Sequence, residues 1–286
     1  MSRKVALVTD STAMLPREAV ERHGITVVPL QVVIGAASYD EGADPGVTAE
    51  TIAEALRAWT PVSTSRPTPA RFLEAYDKAC ADGADEVLSV HLSGEMSGTL
   101  ESAQLAARDA SIPVRVLDTR QLGMATGFAV LAAAEVLARG GSLEEAADAA
   151  RARADATTSL FYVDTLEHLR RGGRIGAAAA LLGSALAVKP LLAIVEGRIA
   201  TREKVRTSAR ALSRLEELAV TAAGDRPVDV AVAHLAAPER AETLAAHLGS
   251  RLAVNLEDRA VVLGEVGAVI GAHVGPGMVA VVVSPR

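Results

Sequence analysis

Apolar residues in the first half of the chain recur in two rhythms, one of strands and one of helices. Val5–Thr9 is an unbroken apolar run of strand length that stops at Asp10. The stretch from Pro16 to His23 reads as a helix with proline at an early position, where its missing N–H is no loss. Ile25–Ile34 is strand-like but interrupted by Pro29, which places it at an edge or a bend. Thr48 caps an expected helix whose apolar residues Ile52, Ala55, Leu56 and Trp59 fall at i, i+3, i+4 and i+7. Pro69 opens another, with Phe72, Ala75, Tyr76 and Ala79 at the same spacing. Buried strands are expected at Glu86–Leu92 and Val114–Leu117, with a helix from Thr99 to Arg108 between them. Such alternation predicts a mainly parallel sheet covered by helices on both faces.

After Gly123 the rhythm changes. Two long Ala-rich helices, Gly123–Arg139 and Leu143–Thr157, are divided by Gly140-Gly141-Ser142, a stop followed by a cap. Leu191–Val195 and Arg198–Lys204 flank Glu196-Gly197 as a hairpin. A helix from Thr207 to Ala222 follows, then strand patterns at Asp229–Ala233, Ala253–Leu256 and Met278–Val283. The expected fold class is therefore α/β in two domains. Residues 1–155 carry a mainly parallel sheet flanked by helices, and residues 156–286 form a mixed α/β domain. A cleft between them is the default ligand site.

Composition narrows the function classes. Half of the 286 residues are hydrophobic, mostly small and aliphatic, and only seven are aromatic (Phe 3, Trp 1, Tyr 3). With 29 basic against 35 acidic side chains the net charge is −6, which argues against a nucleic-acid partner. Cys80 is alone, so an internal disulfide or thiolate metal cluster is excluded, and it reads as a small core residue. The longest apolar stretch, Ile175 to Val188, ends at Lys189. It is shorter than the roughly 20 residues of a spanning helix. The first strand run is too short for a signal-peptide core. No transmembrane segment and a cytoplasmic location are expected.

The residues able to do chemistry sit in turns. Ile270-Gly271-Ala272-His273-Val274-Gly275-Pro276-Gly277 follows an apolar strand-like run and holds one histidine in a turn rich in glycine and proline. Thr64-Ser65 precede a helix and suit either an anion seat or ordinary capping. Ser97-Gly98-Thr99 and Gly172-Gly173-Arg174 complete a polar set fit to clamp an anionic group. Asp10-Ser11-Thr12 reads as a binding loop at a strand end or as an Asx turn. A phosphatase pattern Asp-x-Asp is broken by Thr12. Ser97 does not lie in a Gly-x-Ser-x-Gly elbow, and the arginine turn matches neither nucleotide-binding glycine pattern. No metal spacing occurs, so neither metal nor cofactor is expected. His23, His168, His234 and His247 read as surface or cap residues.

In this order the turns resemble the DegV family of bacterial fatty-acid-binding proteins. The matching segments are Val8-Thr9-Asp10-Ser11-Thr12, Thr64-Ser65-x-Pro67, Ser97-Gly98-Thr99 with Ser102-Ala103, Asp164-Thr165-Leu166 continuing to Arg171-Gly172-Gly173-Arg174-Ile175, Lys189-Pro190, and Gly271-x-His273-x-Gly275-Pro276-Gly277. The resemblance implies a two-domain DegV-like fold with an apolar ligand tunnel between the domains. One long-chain fatty acid would lie there, its carboxylate at Thr64, Ser97, His273 and Arg174, with Asp10, Ser65, Gly98, Thr99 and Gly275 in support. It also implies a lipid-binding carrier that is not itself an enzyme. The partner would be a fatty-acid kinase, similar to dihydroxyacetone kinases, that makes an acyl phosphate. Burial at about 0.8 kcal/mol per methylene would give a long acyl chain on the order of 10 kcal/mol gross. Four positions depart from the family: Arg66 for glutamine, His91 where serines are common, Leu100 for tyrosine and Val274 for threonine. The competing expectation is a small-molecule hydrolase or phosphatase using Asp10 or Ser97 with His273.

Overall fold

The first strand run, apolar on both of its faces, becomes the middle of a sheet covered on two sides. In the computed structural model, residues 3–181 and 189–286 are described. The strands are β1 (Val5–Asp10), β2 (Thr26–Val28), β3 (Gln31–Ile34), β4 (Ala37–Asp40), β5 (Val62–Ser65), β6 (Glu86–His91) and β7 (Val114–Asp118). They continue with β8 (Thr158–Tyr162), β9 (Lys189–Val195), β10 (Arg198–Val205), β11 (Val228–His234), β12 (Val262–Glu265) and β13 (Val279–Pro285). The helices begin with α1 (Arg17–His23), α2 (Ala49–Arg57), α3 (Pro69–Ala81), α4 (Thr99–Asp109), α5 (Met124–Ala138) and α6 (Leu143–Ala156). They end with α7 (Glu167–Arg171), α8 (Ser208–Ala223), α9 (Pro238–Arg251), α10 (Ala253–Leu256) and α11 (Ala268–Val274).

The chain divides into two compact units. The first comprises Met1–Gln31, Asp40–Ala43 and Ser65–Asp155. Its sheet runs β2-β1-β6-β7, parallel throughout. Leu7, Leu88 and Val90 face Ala129, Val130 and Ala133 of α5 and the alanines of α6. Their neighbours Val8 and Val87 face Phe72 and Tyr76 of α3 and Ala103 and Ala106 of α4. The two-residue period of a strand thus separates two cores across one sheet.

The second unit comprises Val32–Tyr39, Asp44–Thr64 and Ala156–Arg286. Its main sheet runs β10-β9-β8-β13-β11-β12, with only the β11–β12 pair parallel. Leu160, Tyr162, Val230 and Val281 pack against Leu215 of α8 and Leu244 and Leu248 of α9. A three-stranded sheet is ordered β4-β3-β5. Among the described residues no helix is long and apolar enough to cross a membrane.

Local signals translate well where they are strong. Thr48 and Thr51 form a reciprocal cap on α2, Thr68 caps α3 with Pro69 in its first turn, and Thr207 caps α8. Glu196 and Gly197 turn the hairpin at φ 49° and 80°, both left-handed, as a two-residue hairpin turn of the I′ kind demands.

Three elements differ from the sequence expectation. Ala253–Leu256 is the short helix α10: Leu252 and Leu256 are buried four residues apart while Val254 is 90% exposed, a helical burial pattern. Residues Ala268–Val274 are the helix α11, so His273 lies in its last turn and the glycine turn starts only at Gly275. Helix α2 ends at Arg57, and Trp59, expected on its apolar face, is 66% exposed at φ 58°. Pro61 biases Thr60 away from helix, and the Thr60 N–H closes back on Ala55 O. Strands β4, β5, β8 and β12 and helices α7 and α9 were not anticipated, so Thr64 and Ser65, expected in a turn, end a strand; Pro238 opens α9, and Ala241, Leu244 and Leu248 mark its buried face. Of the apolar stretch from Ile175 to Val188, Gly176–Leu181 form a 3-10 turn, and residues 182–188 lie outside the described residues.

Candidate functional site

Thr64 ends the second unit's hold on β5, and α11 brings His273 to it from more than two hundred residues away. Gly271 makes this possible on the inner face of α11, where a Cβ would press on Leu235 and Ile52. His273 Nε2 lies 2.8 Å from Thr64 Oγ1. Gly275 ends the helix at φ 76°, in a conformation that penalises any side chain, and a Cβ there would collide with the His168 ring. The loop after α7 contributes Arg174, whose Nη1 donates to Gly172 O at 2.6 Å.

These residues open onto a pocket of about 450 Å³, whose walls include Leu56, Trp59, Thr64, Arg171, Arg174 and His273. Burial first, and then the positive charge of Arg174, push the His273 imidazole down to about 4, so the ring is neutral at physiological pH. His168, expected at the surface, is another wall residue and is likewise held below its ordinary value by burial and by Arg171. Arg171 donates through Nε to Glu167 Oε1 at 2.7 Å, and its guanidinium lies 4.6 Å from the centroid of the Trp59 ring. Hydrogen bonds from Arg170 and Arg171 lower Glu167 to about 2, which keeps this carboxylate ionised. The pocket therefore combines a hydroxyl, a neutral imidazole and cations, a set suited to an anion with an apolar attachment.

The remaining predicted residues belong to the first unit. Ser97 stands in the turn between β6 and α4; its Oγ is 2.9 Å from Thr99 Oγ1 and accepts from the Thr99 N–H at 3.2 Å. Gly98 lets the Arg66 guanidinium lie against the start of α4, where it donates to Gly98 O at 3.2 Å and to Glu101 Oε2 at 2.5 Å. The additional arginine is thus tied to α4. Ser65 Oγ donates to Gln31 Oε1 at 3.1 Å.

Asp10 is buried. Its Oδ1 accepts from Thr12 N and Thr12 Oγ1, and its Oδ2 accepts from His91 Nδ1 at 2.9 Å and Leu92 N at 3.1 Å. His91 Nε2 continues to Ser89 Oγ at 2.6 Å, and Ser89 Oγ to Tyr76 OH at 2.9 Å. This Asp–His–Ser series has the residue types of a hydrolytic triad, but all of its members are buried, packed beneath Phe72. It joins β1, β6 and α3.

Sequence reasoning singled out Thr64, Arg174, His273 and Gly275, which the second unit gathers, and missed Trp59 and His168. Helical spacing pointed Trp59 inward, and nothing local to His168 distinguished it from a solvated residue of a short helix. Among the described residues no three His, Cys, Asp or Glu side chains gather as metal ligands would.

The comparisons agree over the whole chain. The family model described as uncharacterised protein, DegV family, matches residues 4–286. A DegV domain-containing protein of Streptomyces coelicolor is 56% identical over 286 residues, covering 100% of both chains. One from Mycobacterium bovis is 36% identical over 280 residues, 98% of this chain and 96% of its own. Among solved structures, a fatty-acid-binding DegV family protein from Thermus thermophilus superposes with a TM-score of 0.91 at 34% identity, over 99% of this chain and 100% of that one. DegV, a fatty acid binding protein from Bacillus subtilis, gives 0.89 at 33% identity over 100% of both.

Proposed function

The chain belongs to the DegV family, and from that premise we propose that it binds a long-chain fatty acid and presents the carboxylate to a partner kinase. The observation that carries this reading is the Thr64–His273 pair opening, beside Arg174, onto the pocket of the second unit. A hydroxyl donor and a nearby cation suit a carboxylate, while an acyl chain needs only apolar surroundings. Ser97 is the proposed second hydroxyl. The fatty-acid binding of the Thermus and Bacillus relatives supports the same ligand class.

The proposed carrier supplies no nucleophile. All four acceptor positions of Asp10 are occupied inside the first unit, the Ser97 hydroxyl is engaged by Thr99, and His273 is engaged by Thr64. These pairings favour a carrier over a hydrolase. In the cytoplasm, a dihydroxyacetone-kinase-like partner would transfer the γ-phosphoryl group of ATP to a carboxylate oxygen, giving acyl phosphate and ADP. The Arg171 and Arg174 side of the pocket offers positive charge to the phosphoryl group.

Native mass spectrometry with lipid extraction tests the reading. A stoichiometric long-chain fatty acid is expected, and Thr64→Ala or Ser97→Ala should each weaken its binding by about tenfold, as loss of a hydrogen bond to a charged group does. A protein that is isolated empty and takes up no added fatty acid would overturn it.

A further inference from the structure

Within the pocket wall, His273 Nδ1 is shut off from solvent and has no hydrogen-bonding partner. Gly172 lies directly against it: a Cβ at that position would collide with Nδ1. The other ring nitrogen, Nε2, is the one 2.8 Å from Thr64 Oγ1. A neutral imidazole carries one N–H, and its two tautomers are unequal in these surroundings. A proton on Nδ1 would leave a buried N–H donor pointing at a glycine methylene. Orphaned buried donors are rarer in folded proteins than unpaired acceptors. A proton on Nε2 is donated to Thr64 Oγ1, and only a lone pair stays unmatched. Charging the whole ring is opposed by burial and by Arg174.

We propose that His273, held by Gly172 in the Nε2–H tautomer, frees the Thr64 hydroxyl hydrogen for donation into the pocket, so that the seat favours a head group that accepts hydrogen bonds. With its oxygen already accepting from His273, Thr64 has its own hydrogen left for a ligand. A deprotonated carboxylate is such a head group. The step from donor to carboxylate rests on the fatty-acid reading above; the tautomer does not. Gly172 has φ −72° and ψ −8°, a helical conformation open to any residue. Its requirement for glycine is therefore the contact with the imidazole, which makes Gly172 a positioning residue.

Nitrogen-15 NMR of the labelled, purified protein tests this at neutral pH, with His273→Gln used to assign the ring. The expected signature is a pyridine-type Nδ1 and a pyrrole-type Nε2. The reverse pattern or a doubly protonated ring would overturn the proposal. Gly172→Ala should keep its circular dichroism, lose the single tautomer and bind palmitate or oleate about tenfold less tightly, the worth of one hydrogen bond. Unchanged tautomer and affinity in this variant would refute the role of Gly172. If neither fatty acid binds the unaltered protein, the ligand reading fails while the NMR spectrum still decides the tautomer.

Discussion

His273 is recognisable in the sequence as a residue able to do chemistry, but its protonation depends on what surrounds it. A histidine in an open turn titrates near 6.5, whereas this one, buried beside Arg174, is pushed down to about 4. The unfolded chain therefore takes up the proton first as pH falls. The resulting stability is fully present above 6.5 and is lost as pH drops toward 4. At about 1.36 kcal/mol per unit, the loss is on the order of 3 kcal/mol. Denaturant titrations at pH 7 and pH 4.5 should show a steeper decline for the unaltered protein than for His273→Gln; parallel declines would mean that the ring is not buried neutral. Trp59 makes the same point in the opposite direction. Its apolar character and spacing pointed to a core, yet it stands 66% exposed against Arg171.

Between elements, the buried Asp10 carboxylate joins the ends of β1 and β6 by binding Thr12, His91 and Leu92 together. The turn that follows β6 carries Ser97, so this join also sets where the turn begins. Asp10→Ala would strand two backbone N–H groups and one imidazole N–H in the interior. A destabilisation of about 3 kcal/mol or more is expected in chemical denaturation. A loss below about 0.5 kcal/mol, the range of ordinary surface changes, would show that the network contributes little. Elements with local punctuation, such as α2, α3, α8 and the β9–β10 hairpin, were legible from caps, proline and paired left-handed turn residues. Helices α10 and α11 were not, because short apolar runs fit either period and only burial separates them.

For the whole molecule, a carrier reading predicts linkage between ligand and folding. Delipidated protein given a free fatty acid at about one hundred times its dissociation constant should gain about 2.7 kcal/mol of stability. Thermal melts with acids from lauric to stearic would reveal this and rank chain length; no shift with any of them would sink the reading. The sequence by itself determined the alternation of the first unit, the change of rhythm after Gly123, the acidic balance and the turns bearing Ser97 and Arg174. These follow from periodicity and backbone preference, which act between near neighbours along the chain. Only the tertiary structure decided that Asp10 is an interior join, that His168 and Trp59 line the pocket, and that His273 is neutral and paired to Thr64. Burial, desolvation and hydrogen-bond pairing are set by groups far apart in sequence, such as Thr64 and His273 at 209 positions, and no local pattern records which of them will meet.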